Sequence, residues 1–179
     1  MQLTRRSLAS DTRGVAAVEF ALLLPILIAL YLGVVELTQG LMTQERATHV
    51  AATVGDLVSQ NSSVTAAEVT DVFSVGDTVM YPYPTASLKL RVSTLSADAK
   101  GNVTVVWSQA SGGLTKLAAN STVAGLPNNV ITANESVIMS ESQYTYTSVF
   151  GQLLPTPVVF KQTSYQHPRL SSSVTCADC

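Results

Sequence analysis

Two cysteines, Cys176 and Cys179, lie at the C-terminal end of the sequence and are the only cysteines in it. A Cys-x-x-Cys pair can be a redox dithiol, half of a zinc site or a local disulfide. Redox pairs begin a helix in a βαβ unit, a setting that the neighbouring residues do not offer. Zinc needs two further ligands, and the two histidines, His49 and His167, are far apart in sequence. We expect a structural disulfide in an oxidising, exported location.

Catalytic motifs are not found elsewhere in the sequence. It contains no Gly-x-Ser-x-Gly, no His-Glu-x-x-His and no phosphate-binding loop. The net charge is −2, and only 12% of the residues are charged, whereas nucleic-acid binding needs a clustered basic face. We therefore expect no catalytic residues, no cofactor, no metal and no nucleic-acid partner. A membrane-bound hydrolase built from scattered Ser and Asp residues remains an alternative.

A second group of residues that could take part in chemistry lies at the N-terminal end of an apolar span. Gly14 ends a short basic leader, residues 1–14, and the span begins on the next residue, Val15. Glu19 is the fifth residue after Gly14, and Phe20 is the sixth. If the Gly14–Val15 bond were cut, the new amine of Val15 and the carboxylate of Glu19 would share one helix face. If the bond stayed intact, the Glu19 carboxylate would lie near the membrane interface and would interact only with the N-terminal end of its own helix.

The span itself, residues 15–37, predicts a transmembrane helix. A helix of this length measures about 35 Å, slightly more than the hydrocarbon core of a bilayer. The apolar run is longer than the core of a signal peptide, so we expect it to stay in the mature protein. Arg5, Arg6 and Arg13 precede it, which predicts a cytoplasmic N-terminus and an exported C-terminal part.

The exported part begins with an amphipathic helical extension, residues 38–60. Its apolar residues recur at helical spacing and predict one buried stripe: Ala47, Val50, Ala51, Val54, Leu57 and Val58. A second, shorter helix follows Thr65, which forms a capping-box pattern with Glu68. The Tyr-Pro-Tyr-Pro sequence after Met80 ends that helix.

The remainder of residues 61–179 predicts a small antiparallel sheet. Two runs with period-two alternation form a hairpin with one apolar and one polar face: Leu88, Leu90 and Val92, then Val103, Val105 and Trp107. Residues 111–134 indicate a loop, with a short helix around 114–119. Further strands are expected within 136–150 and 157–166. The predicted fold is α+β, with the helical stripe packed on the hairpin.

This order of elements, joined to the residues at the span, resembles that of pilins. A basic leader ending in Gly14, followed by Glu19 and Phe20 at the start of an apolar helix, resembles the processing site of type IV pilins. The aromatic Phe20 and the apolar stretch that follows it, which contains Pro25 and Glu36, more narrowly resemble the TadE-like family, the minor pseudopilins of tight-adherence (Flp) pili. The resemblance covers roughly residues 13–58 and leaves out the sheet.

The resemblance implies a structural subunit of a type IV pilus system. A prepilin peptidase would cut between Gly14 and Val15, with Glu19 and Phe20 completing the recognised site. The implied partners are that peptidase, other pilins and minor pilins, the inner-membrane assembly platform and the lipid bilayer. The protein would lie in the bacterial inner membrane with a periplasmic C-terminal domain, and whether it enters the fibre stays open. The alternative is an uncleaved, membrane-anchored binding module that uses the sheet and the 111–134 loop.

Overall fold

A computed structural model describes residues 14–123, 125–148 and 157–179; the leader residues before Gly14 lie outside the described part. The chain divides into two compact units, Met1–Gln39 and Gly40–Cys179. In chain order the elements are α1 Val15–Ser59, β1 Ser63–Val64, α2 Ala66–Met80, β2 Leu88–Ala97, β3 Val103–Ser111, β4 Ser136–Tyr146, β5 Val158–Gln166 and β6 Thr175–Cys176. The architecture is α+β, as the sequence predicts.

Helix α1 is a single helix of 45 residues with Pro25 inside it. Its N-terminal part is long and apolar enough to cross a membrane. The apolar side chains of that part are exposed in this single chain, as Leu22 at 71% and Ile26 at 64% illustrate. A helical surface that is apolar all round needs lipid or other helices as its surroundings.

Helix α2 begins at the predicted cap. The backbone N–H of Glu68 donates to the hydroxyl of Thr65 at 3.2 Å, and the Glu68 carboxylate accepts from the backbone N–H of Thr65 at 2.8 Å. This reciprocal pair satisfies two amide donors that have no partner within the helix. The helix buries Val69 and Phe73 against the core and ends before Tyr81.

The main sheet has the strand order β3-β2-β4-β5, and all of its neighbours are antiparallel. Leu88, Leu90 and Val92 of β2 are buried and belong to the same hydrophobic core as the stripe on α1. The stripe is buried as predicted, apart from Leu57, which is half-buried. Two serines of β4 also bind the helix backbone: Ser142 Oγ donates to Ala47 O at 2.6 Å, and Ser140 Oγ donates to Ala51 O.

The hairpin does not have one apolar and one polar face, so that prediction is wrong. Pairing passes from Thr94–Trp107 directly to Leu95–Val105, which leaves Val106 as an extra residue in β3. Such a bulge reverses the side on which later side chains point. Trp107 therefore packs in the helix-facing core, whereas Val105 packs on the opposite face.

A second hydrophobic cluster forms on that opposite face and is covered by the loop between β3 and β4. Its fully buried members are Leu95, Val105, Val137 and Met139. The loop contributes Leu117, Val123 and Leu126, among others, to its cover. The short helix predicted around residues 114–119 does not form: this stretch has no helix or strand, and its Leu117 packs on the cluster.

Candidate processing site and C-terminal disulfide

Gly14 immediately precedes the first residue of α1, as the predicted processing site requires. A side chain added at Gly14 would meet no atom within 4 Å, and the backbone of this residue is not in the left-handed region. The described structure therefore gives no reason of packing or backbone conformation for glycine at this position. If glycine is required here, the reason lies outside the contacts of the described residues.

Val15, Glu19 and Phe20 lie on the first turns of α1. Val15 is 49% exposed and Phe20 is 59% exposed, and Glu19 is exposed as well. Val15 and Glu19 are four residues apart, so both side chains lie on one face of the helix. Glu19 lies beyond the first turn, which contains no acidic residue, so the helix dipole stabilises its carboxylate only weakly.

The structure joins the sulfur atoms of Cys176 and Cys179 in a disulfide, with the Cα atoms 5.6 Å apart. Asp178 lies between them, and the three groups could bring one ligand atom each within 4.8 Å of one another. Neither histidine joins this group among the described residues. Because both sulfurs are bonded to each other, the arrangement lacks the thiolates that zinc would need.

The segment that carries the disulfide is attached to three other elements, which sequence reasoning missed. The indole Nε1 of Trp107 donates to the carbonyl of Val174 at 2.8 Å, and Val174 is fully buried. Arg169 forms an ion pair with Asp56 near the end of α1. Strand β6 pairs in parallel with β1. Two-residue strands leave no periodic pattern, so the sequence held no local signal for this docking.

The outer face of the sheet has a polar depression of about 210 Å³. Arg91 Nη2 donates to Glu141 Oε1 at 2.7 Å, and Arg91 Nη1 donates to the carbonyl of Thr115 at 2.9 Å. Burial raises the pKa of Tyr165, and the charge of Glu141 raises it further. Ser142 and Thr163 line the depression, but no histidine is among its described lining residues. The arrangement offers no nucleophile–base pair of the kind that hydrolases use.

Among the residues that the structure describes, one helix is long and apolar enough to cross a membrane, and an α+β unit follows it. This order of parts is the pattern of a protein with a single-pass membrane anchor. The family model described as TadE-like protein matches residues 14–56. The match confirms the resemblance found in the residues of this segment and is consistent with a TadE-like protein of the tight-adherence pilus system. No curated protein and no solved structure matches the chain. The matched segment begins at Gly14 and ends within α1, so it leaves out α2 and the sheet.

Proposed function

We propose that this protein is a minor pilin-like subunit, a pseudopilin, of a tight-adherence pilus, and that a prepilin peptidase cuts it between Gly14 and Val15. The observation that carries the proposal is the coincidence of three boundaries. The family match, the start of α1 and the end of the basic leader all fall at Gly14 or Val15. A peptidase acting there would release a chain whose first residue already belongs to the membrane helix.

A structural subunit needs no catalytic site of its own. The surroundings of Gly14 fit those of a bond that a peptidase cuts. The residues that follow the Gly14–Val15 bond are exposed on the helix surface, so the N-terminal end of the span is accessible in the isolated chain. In the proposed arrangement the basic leader stays on the cytoplasmic side of the inner membrane, and the α+β unit lies in the periplasm. The partners are the peptidase, other pilins and the assembly platform.

Glu19 has a defined role in this proposal. Cutting creates an ammonium group on Val15, and in a neighbouring subunit the Glu19 carboxylate can meet that group in apolar surroundings. Opposite charges attract strongly there, and an unmatched charge is costly. The pair therefore sets the axial stagger between subunits. Pro25 removes one backbone donor from the helix and marks a place where it can bend.

The test is N-terminal sequencing of the protein extracted from membranes of its own host. A mature chain starting at Val15 supports the proposal. A Gly14→Leu variant should keep its leader, since a close-fitting peptidase site needs the small residue. Gly33→Leu is the matched control, because a side chain at Gly33 also meets no atom within 4 Å; it should be cut normally.

The alternative is an uncleaved anchor for a binding module, and the same experiment separates the two. A wild-type protein that retains residues 1–14 would overturn the proposed processing. Normal pili in cells whose only copy is an uncut Gly14→Leu variant would overturn the pseudopilin function, even if the wild-type chain were cut.

A further inference from the structure

One end of the α+β unit, Gly40–Cys179, lies next to the residue at which α1 enters it. Strand β4 runs antiparallel alongside α1 towards Gly40. Ser142 Oγ donates to the carbonyl of Ala47 at 2.6 Å, and further along the strand the ring of Tyr146 lies 4.0 Å from the position of a Cβ added at Gly40. The C-terminal end of β4 is therefore the end of the sheet nearest to Gly40.

The turn after α2, residues 81–87, lies at the same end. The guanidinium carbon of Arg46 on α1 is 5.8 Å from the ring centroid of Tyr83. Pro84 and Tyr146 line one depression of about 270 Å³. Strands β2 and β5 begin here because their first residues pair with the last residues of β4. We call this region the span-side end, and its described residues are 40–44, 81–88, 144–148 and 157–160.

The span-side end is close to the candidate membrane span in sequence. The span ends at Leu37, three residues before Gly40, and α1 continues without a break between them. Three helical residues measure about 5 Å along the axis, and the headgroup layer of one leaflet is about 5–8 Å thick. If the span crosses a bilayer, Gly40 therefore lies within the headgroup layer, and this holds for any angle between the two units.

The chemistry of the span-side end suits such surroundings. None of its described residues is charged. Tyr81 is 76% exposed, and Leu41 and Met42 on α1 are 57% and 55% exposed. Tyrosine combines an apolar ring with a polar hydroxyl and is enriched where membranes meet water.

The opposite end of the unit carries charges. The turn between β2 and β3 contains Asp98 and Lys100. Arg169 forms an ion pair with Asp56 near the end of α1, and Asp178 accepts from the backbone at the start of α2. Charged side chains are typical of a surface that faces water. The contrast between the two ends indicates that water is not the main neighbour of the span-side end.

We propose that the span-side end lies against the lipid bilayer, with the ring of Tyr81 inserted at the boundary between the headgroups and the acyl chains. The described residues of this end lose no charge hydration on contact with lipid, which would otherwise be costly. The Tyr81 hydroxyl stays among the headgroups, and Leu41 and Met42 continue the apolar surface of α1. The contact goes beyond the proposed pilus function, since it needs the span but not the cut at Gly14.

Depth-dependent fluorescence quenching tests the contact. Full-length protein with its leader intact is placed in vesicles of phosphatidylethanolamine and phosphatidylglycerol, some of which carry a nitroxide near the headgroup end of the acyl chain. A fluorophore is attached to Thr147→Cys, at the span-side end, in a Cys176→Ser/Cys179→Ser background. Its emission should fall by about twofold or more with the nitroxide lipid, because an interfacial group lies within reach of that depth. The same fluorophore on Leu170→Cys, an exposed site by the charged end, should keep its emission.

A charge at position 81 gives the second comparison, with the fluorophore kept at Thr147→Cys. Tyr81→Glu should lower the extent of quenching by about twofold or more, because a carboxylate resists transfer into the interface. Leu170→Glu is the matched control: it also replaces an exposed apolar side chain, 72% exposed against 76%, and should leave the quenching unchanged. Circular dichroism of each variant checks that it is folded.

Quenching at Thr147→Cys that Tyr81→Glu lowers and Leu170→Glu does not lower supports the contact. A fluorophore at Thr147→Cys that stays as bright as the one at Leu170→Cys would overturn it. Quenching that persists unchanged in a folded Tyr81→Glu protein would overturn the insertion of Tyr81. If Tyr81→Glu does not fold, the comparison of the two labelled sites decides alone. The leader is uncut in this preparation, so failure of the contact is distinct from failure of the proposed cut at Gly14.

Discussion

Asp178 Oδ1 accepts a hydrogen bond at 2.9 Å from the backbone N–H of Ala66, the first residue of α2. The carboxylate thus satisfies an amide that has no partner within the helix and lies at the positive end of the helix dipole. The Cys176–Cys179 disulfide encloses Asp178 and restricts where its side chain can lie. The C-terminal segment therefore stabilises the start of a helix more than one hundred residues earlier in sequence.

Replacing Asp178 by alanine should lower the free energy of unfolding by about 1 kcal/mol, the usual effect of losing a helix cap. Thermal unfolding of the detergent-solubilised protein, followed by circular dichroism, measures the change. Asp71→Ala, further along the same helix, is the control and should have a smaller effect. Equal effects of the two substitutions would contradict the capping role.

The two cysteines should be bonded to each other in protein isolated without reductant. Mass measurement of the non-reduced, alkylated protein should show no added alkyl groups. A Cys176→Ser/Cys179→Ser variant should fold with only a modest loss of stability, because so short a loop constrains the unfolded chain little. Two alkylated thiols in the wild-type protein, or covalent dimers between chains, would count against this bridge.

Gly55 is a position where the packing of α1 requires glycine. An added Cβ would lie 2.7 Å from Ser140 Oγ, which donates to the carbonyl of Ala51. Gly55→Ala should therefore destabilise the protein by about 1–3 kcal/mol through overpacking and the disturbed hydrogen bond. Gly40→Ala in the same helix meets its nearest atom at 4.0 Å and should stabilise by up to about 1 kcal/mol. Chemical denaturation of both variants tests the contrast, and a stabilised Gly55→Ala protein would refute it.

The hairpin turn depends on an ionised aspartate. The side-chain amide of Asn102 lowers the pKa of Asp98 most, and backbone N–H donors of Asn102, Lys100 and Gly101 lower it further. A lowered pKa means that this contribution to stability is present above the ordinary value of 3.8 and is lost as the pH falls below it. An NMR titration should find the pKa of Asp98 below 3.8 in the wild-type protein and closer to 3.8 in Asn102→Ala. Lys100→Ala keeps the backbone donor and should leave it low; an unshifted wild-type value would contradict the assignment.

Glu19 should matter for assembly rather than for insertion. Glu19→Gln keeps the size of the side chain and removes its charge, so membrane fractionation should find the variant in the inner membrane at normal levels. If the chain is cut and assembled as proposed above, its incorporation with partner pilins should fall, because the Val15 ammonium of a neighbour would lose its counter-charge. Glu45→Gln, an exposed acid of α1 outside the span, is the control. Wild-type pili in a Glu19→Gln strain would refute the role of this charge.

Elements with a local signal could be predicted from the sequence. The capping box of Thr65 and Glu68 placed the start of α2, and helical periodicity placed the buried stripe between Ala47 and Val58. These features depend on residues a few positions apart, so their pattern is visible in the chain itself.

Elements made by distant residues could not be predicted. No residue type in the sequence marks the bulge at Val106, yet the bulge puts Val105 and Trp107 on opposite faces of the sheet. The hydrogen bond from Trp107 to the carbonyl of Val174 also joins residues that are far apart in sequence. For the candidate site, the residue types singled out Gly14 and Glu19, and their role in processing stays a prediction. The open space around Gly14 could be seen only in the structure.

The bulge has a consequence for how substitutions in this protein combine. Because the sheet divides its apolar side chains between two separate clusters, Leu117 of the loop and Val50 of α1 pack in different clusters. The effects of substitutions at these two positions on the free energy of unfolding should therefore be close to additive, since the two side chains share no partner.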